Sequence, residues 1–169
     1  MKTLNNYINE WKVNTTTLSS IQETPYFIYK VREKSTIRIF DDEFELLKKF
    51  KNKVYINGKH IEITHDGLTV EKYEPGTYKV YIEDINDITD CTCMFQYCCE
   101  LISVPFFDTS KVDSMEFMFK SCENLEKVPL LNTDKVDYMS DMFSDCYNLS
   151  DETKKEWSQI YDFTTDKRK

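Results

Sequence analysis

Apolar positions in the second half of this 169-residue chain return with a period of 24. Residues 88–111 superimpose on residues 112–135, and residues 136–149 begin a third copy. The recurring side chains are Met94/Met118/Met142, Phe95/Phe119/Phe143, Cys98/Cys122/Cys146 and Leu101/Leu125/Leu149. A fixed period of this length signals a stack in which each repeat buries its apolar face on the next. Spacings of three and four over residues 115–122 suit one or two turns of helix, with Asp113 and Glu116 placed as a capping box. Residues 125–130 suit a short strand. The pattern thus predicts coils of one short helix and one short strand, the strands stacked in parallel. Residues 78–82 lie 24 before residues 102–106 and take the strand position of a degenerate earlier copy, so they are expected to carry the preceding sheet straight into the solenoid.

Upstream, the pattern changes. Leu4, Tyr7, Ile8 and Trp11 fall at i, i+3, i+4 and i+7 among polar residues and predict a short amphipathic helix, followed by a polar linker. Residues 26–31 and 36–40 read as strands. Asp41 is placed to cap a helix whose face carries Phe44, Leu47 and Phe50. Asn57-Gly58 between residues 54–56 and 61–63 predicts a tight hairpin, since both residues tolerate positive φ. Turns at Asp66-Gly67 and Pro75-Gly76 bound two more strands, residues 68–73 and 78–82. After the repeats, Ser150-Asp151-Glu152 starts a helix bearing Trp157, Ile160 and Tyr161, placed to cap the open end. The expected fold class is α+β: a leader helix and linker (1–24), a small mixed α/β unit (25–83), a leucine-rich-repeat-type solenoid (84–150) and a capping helix and tail (151–169).

The first copy is apolar where later ones are polar. Cys93, Tyr97, Cys99 and Ile102 answer to Phe117, Ser121, Glu123 and Glu126. The first coil is therefore expected to lie partly under the N-terminal unit, with the later ones facing solvent.

The composition narrows function by exclusion. Eleven Tyr, eleven Phe, three Gly and four Pro describe a folded chain. A formal charge of -8, with no basic stripe, opposes binding to nucleic acid. No apolar run has the length of a membrane span or signal peptide, which points to a cytoplasmic protein. Six cysteines are present, three at one repeat position, where they read as a packed ladder of reduced thiols.

The string MxxMFxxCxxLxxVPxxxTxKV, with the linking FDTSKV at residues 107–112, resembles the BspA-like family of leucine-rich repeats over residues 78–150. The resemblance implies a repeat solenoid and a protein-binding role, its members being commonly bacterial surface proteins implicated in adhesion. Residues 1–14 also resemble the short leaders of proteins encoded by tailed phages. That likeness implies an accessory protein recruited through Leu4, Tyr7, Ile8 and Trp11; the alternative is that the leader packs on its own domain.

Little in the chain suggests catalysis. Cys91, Cys93, Cys98 and Cys99 lack the pair spacing of zinc modules, and repeat geometry accounts for two of them. His60 and His65, with Glu62 and Asp66 nearby, fall where surface histidines are common. No phosphate loop, nucleophile elbow or HExxH occurs. The expectation is a non-enzymatic binding module without metal or cofactor. Its protein partner would meet Phe117, Tyr138 and Tyr147 amid Glu116 and Asp141, aromatic and acidic side chains at variable repeat positions.

Overall fold

The computed structural model describes residues 25–168. Its main regular element is a five-stranded antiparallel sheet in the order β3-β2-β4-β1-β5. The strands are β1 (Phe27–Val31), β2 (Val54–Ile56), β3 (Lys59–Ile61), β4 (Gly76–Ile82) and β5 (Leu101–Ser103). Among the described residues, helix is confined to α1 (Leu47–Phe50), a single 3₁₀ turn (Ile85–Asp87) and α2 (Asp151–Trp157). A two-stranded hairpin, β6 (Tyr161–Asp162) with β7 (Lys167–Arg168), follows.

This architecture corrects the expected fold class. The chain is not a leucine-rich-repeat-type solenoid of helix-plus-strand coils closed by a helical cap; the antiparallel sheet overturns that reading. The reason within the repeats is conformational. Cys93, Phe117 and Asp141 have φ of 57, 56 and 53°, and Tyr97, Ser121 and Asp145 have φ of 59, 58 and 60°. Two left-handed residues four apart reverse the chain and forbid a helix over each MxxMFxxC segment. A helix would also return its N–H groups to its own carbonyls. Here they alternate. Met94, Gln96 and Cys98 donate to carbonyls three residues back, while Cys91, Cys93, Phe95 and Tyr97 donate across to Ser114, Glu116, Met118 and Lys120 of the next copy. Met115, Phe117, Phe119 and Ser121 do the same to Tyr138, Ser140, Met142 and Ser144. The repeats are thus layers of turns joined edge to edge, and the expected parallel strands shrink to isolated bridges at Ser103↔Lys127 and Ser114↔Tyr138.

Three further expectations change. Residues 78–82 lie in β4 and do not continue into the repeats, because β1 inserts antiparallel between β4 and β5. Residues 36–40 and 68–73 form single bridges, Arg38↔Leu68 and Ser35↔Tyr73, in place of strands. Asp41 does not cap a helix: the residue before α1 is Leu46, and the buried Asp41 carboxylate accepts the Glu43 N–H at 3.1 Å. The hairpin at Asn57-Gly58 forms with φ of 49 and 82°, the two positive values a type I′ turn needs. The leader falls outside the described residues.

The sheet's inward side chains, among them Phe27, Tyr29, Val31, Val54, Ile56, Val80 and Leu101, are buried and join the repeat residues in one core. A stack of phenylalanine rings runs through it. Phe44 and Phe40 lie 5.5 Å apart, Phe40 and Phe95 6.1 Å, Phe95 and Phe119 5.7 Å, Phe119 and Phe143 5.6 Å, and Phe143 and Phe163 5.6 Å. The other core positions, Met94, Cys98, Leu101, Met118, Cys122, Leu125, Met142, Cys146 and Leu149, are all buried as well. At the far end Trp157 and Tyr161 set their rings edge-on against Phe143. The last layer's N–H donors are met there too: Asp141 donates to the Asp166 carbonyl and Phe143 to the Tyr161 hydroxyl.

Candidate functional site

The layered turns sort the exposed side chains of the repeats into two groups, one before and one after each buried Met-Phe pair. The group before it holds Glu116, Phe117, Tyr138 and Asp141. Tyr138 is 61% exposed. Thr92 Oγ1 lies 2.7 Å from Ser114 Oγ, and the same register one layer on sets Glu116 beside Tyr138. Phe117 and Glu116 are half-buried, as is Asp141, whose N–H is committed to Asp166. Lys120 Nζ sits 5.0 Å from the Phe117 ring centroid, a cation–π contact that covers part of this aromatic. Phe117 is therefore partly covered by its own layer.

The group after the Met-Phe pair contains Tyr147, 71% exposed, whose hydroxyl donates to Asp145 Oδ1 at 2.6 Å. That bond to a carboxylate holds the Tyr147 phenol above its ordinary pKa. Tyr97, two positions off the same column and two layers away, is 51% exposed. Sequence reasoning missed it by treating the first layer as covered. Cys93 is covered as expected, but Tyr97 projects outward. Between the two tyrosines, Ser121 Oγ approaches Asp145 Oδ2 at 3.5 Å. Asn124 and Asn148 donate their side-chain amides to the carbonyls of Cys99 and Glu123, tying each layer's corner to the one before. Of the five proposed contact residues, four precede the buried Met-Phe pairs and Tyr147 follows one, on the side where Tyr97 is also exposed.

The cysteines are packing and hydrogen-bonding groups. All six are free, five of them buried and Cys99 half-buried. Cys122 Sγ donates to the Phe95 carbonyl and Cys146 Sγ to the Phe119 carbonyl, each at 2.9 Å and each to the preceding layer. Burial pushes the Cys91, Cys98 and Cys122 thiols well above their usual range and Cys146 up to about 12. Cys93 is pushed up to about 11, by burial first and then by Glu43, whose carboxylate lies 3.8 Å from its sulfur. Thiols held protonated in this way are poor nucleophiles and poor metal ligands. Among the described residues no three His, Cys, Asp or Glu side chains converge on a metal position. His60 Nε2 lies 2.9 Å from the Asn52 carbonyl, and His65 is exposed. A shallow cavity of about 270 Å³ beside His60, lined also by Glu62, Thr69, Val70 and Tyr73, lies at the β3 edge of the sheet, opposite the edge that joins the repeats.

Among the described residues no helix is long and apolar enough to cross a membrane. What the fold defines is a repeat-bearing chain whose conspicuous surface groups are tyrosines and carboxylates. The family model described as Mycoplasma protein of unknown function, DUF285, matches residues 77–165, more than half of the chain, and the chain belongs to that family. No curated protein and no solved structure matches it.

Proposed function

We propose that the chain is a non-enzymatic protein-binding module that meets its partner through the tyrosines of the repeat layers, with acidic side chains around them. The observation that carries this reading is the exposure of Tyr97, Tyr138 and Tyr147, each more than half open to solvent. The backbones of Tyr97 and Tyr138 are held by inter-layer hydrogen bonds and the Tyr147 hydroxyl by Asp145, so little further ordering is needed on binding. Tyrosine supplies a large amphipathic contact at low entropic cost and is enriched at protein interfaces. The likeness of the repeat string to BspA-like repeats, whose members are implicated in adhesion and protein binding, supports the same class. Six free thiols favour a reducing compartment.

The test starts with a partner purified by affinity capture and a measured affinity for it. Tyr97 is best replaced by Asn, because its φ of 59° suits asparagine better than alanine. Tyr97→Asn with Tyr147→Ala is expected to weaken binding by about tenfold or more, with the melting midpoint shifted by no more than about 2 °C. Unchanged affinity in this variant and in Tyr138→Ala would overturn the reading.

A further inference from the structure

The carboxylates of the repeat layers have no cationic partners within the chain. Residues 112–149 hold eight carboxylates against three lysines, more than half of the formal charge of -8 in less than a quarter of the length. Ion pairs do form elsewhere, and among the described residues they all lie between Lys34 and Lys111. None reaches a carboxylate of residues 112–149. Lys120 turns to the Phe117 ring instead. Tyr147 stands amid this charge. Asp145 accepts its hydroxyl through Oδ1 and lies 3.5 Å from Ser121 Oγ through Oδ2. The Asp145 bond raises the phenol's pKa, and the Glu123 charge adds to the rise. Glu123 and Asp145 are both exposed. Arg32, which reaches the neighbouring corner, is held there by a neutral amide, Asn124 Oδ1 at 2.6 Å.

We propose that the partner of the repeat tyrosines is a basic polypeptide segment, whose lysine or arginine side chains meet Glu123 and Asp145 while their stems lie on Tyr147. This rests on the binding-module reading and names the chemistry of its partner. Three arguments select such an occupant. The first is charge complementarity. Asp137 donates its N–H to the Asp113 carbonyl at 2.8 Å, which sets two exposed aspartates one layer apart, and like charges stacked in this way favour a cationic partner. The second is the aromatic surface beside the carboxylates. A cation is drawn to a tyrosine ring, and the apolar stem of lysine or arginine covers it, as Lys120 does at Phe117. The third is spacing. Stacked rings of successive layers lie 5.7 and 5.6 Å apart, and side chains two residues apart in an extended segment stand about 6.7 Å apart. Basic residues at alternate positions therefore face successive layers. A single metal ion would need the carboxylates to converge, and among the described residues no three do so.

The probe is a short fluorescein-labelled peptide of alternating lysine and serine, followed by fluorescence anisotropy with the full-length chain; its glutamate–serine counterpart is the control. The lysine peptide is expected to bind, and to bind about tenfold more weakly on going from about 50 to about 300 mM NaCl. No binding of it, or equal binding of the glutamate peptide, would overturn the inference. Glu123→Gln/Asp145→Asn keeps an oxygen for the Tyr147 hydroxyl, and asparagine tolerates the φ of 60° at position 145. This pair is expected to weaken the peptide about tenfold. Glu45→Gln/Glu62→Gln, which removes the same charge from exposed positions of the N-terminal unit, is expected to change it by less than about twofold. Equal losses in the two variants would show net charge alone at work, and the inference would fall. The purified partner separates that failure from failure of the reading beneath it. A partner weakened by the tyrosine variants but not by Glu123→Gln/Asp145→Asn removes the basic segment and leaves the module; one indifferent to the tyrosine variants overturns the module itself.

Discussion

At the residue scale, three positions carry consequences that follow from their surroundings. Gly67 has φ of 78°, and a β-carbon there would lie 1.9 Å from the Phe40 carbonyl oxygen, which is backbone and cannot swing away. Gly67→Ala is expected to cost on the order of 2–4 kcal/mol, combining overpacking with left-handed strain, measurable by urea denaturation. A loss of under about 1 kcal/mol would mean that the 64–68 turn relaxes freely. Asp41 titrates in the opposite sense to an ordinary surface carboxylate, since burial raises its pKa. The folded state then holds the proton to higher pH than the unfolded chain does. Its contribution therefore favours folding at acid pH and declines as pH rises through the window just above the ordinary carboxylate value. Asp41→Asn keeps an oxygen for the Glu43 N–H and should gain stability relative to the parent on going from pH 4 to pH 7; a constant difference would show the group is not desolvated. The thiols give a third expectation. With iodoacetamide at pH 8 the native chain should be alkylated at Cys99 first, the one half-buried cysteine, and the unfolded chain at all six. Rapid modification of Cys93 or Cys98 in the native state would contradict the packing described.

At the element scale, the hairpin was legible because Asn57-Gly58 states its own backbone geometry, and β1 and β4 because aromatic and β-branched residues alternate there. The core list was legible for a simpler reason: the period places Met94, Phe95, Cys98 and Leu101 on the inside whether the segment is helical or turned. What the spacing hid was the backbone. A three-and-four pattern is produced equally by a helix and by turns with a left-handed residue every fourth place, and Cys93, Phe117 and Tyr97 are not residue types that advertise positive φ. The third copy did hold a signal, for its corresponding residues are Asp141 and Asp145, and aspartate tolerates that region. The insertion of β1 between β4 and β5 lay beyond any local pattern, because pairing across more than 70 residues is decided by which apolar faces meet. Tyr97 was missed for a related reason, since a layer can be covered at Cys93 and open four residues later. A consequence follows for Asn57-Gly58: replacing it by Ala-Ala removes both tolerant residues and should weaken the hairpin by about 1–2 kcal/mol.

At the scale of the whole molecule, the layers are interchangeable to an extent that permits a stringent test. Consider removal of residues 112–135, one full period. Cys91, Cys93, Phe95 and Tyr97 would then face the carbonyls of Tyr138, Ser140, Met142 and Ser144, the acceptors that Met115, Phe117, Phe119 and Ser121 use now. Phe95 would stack on Phe143, and Cys146 Sγ would donate to the Phe95 carbonyl in place of that of Phe119. At the closing end, Trp157 Nε1 donates to the Val128 carbonyl and Thr153 Oγ1 to that of Glu126. Val104 and Ile102 stand one period earlier and offer the same groups. Even Arg32, bonded to Asn124 at 2.6 Å, would find Asn148 at the equivalent corner. The shortened chain is therefore expected to fold cooperatively with a lower midpoint, having lost one layer's burial and no type of contact. Removing residues 112–134 instead leaves the layers one residue out of phase, so that phenylalanine meets no phenylalanine and the alternate N–H groups meet no carbonyls. That chain should show no cooperative transition by circular dichroism. Equal behaviour of the two deletions would mean that the layers are held by the sheet and the closing hairpin alone, and that the 24-residue period contributes nothing to folding.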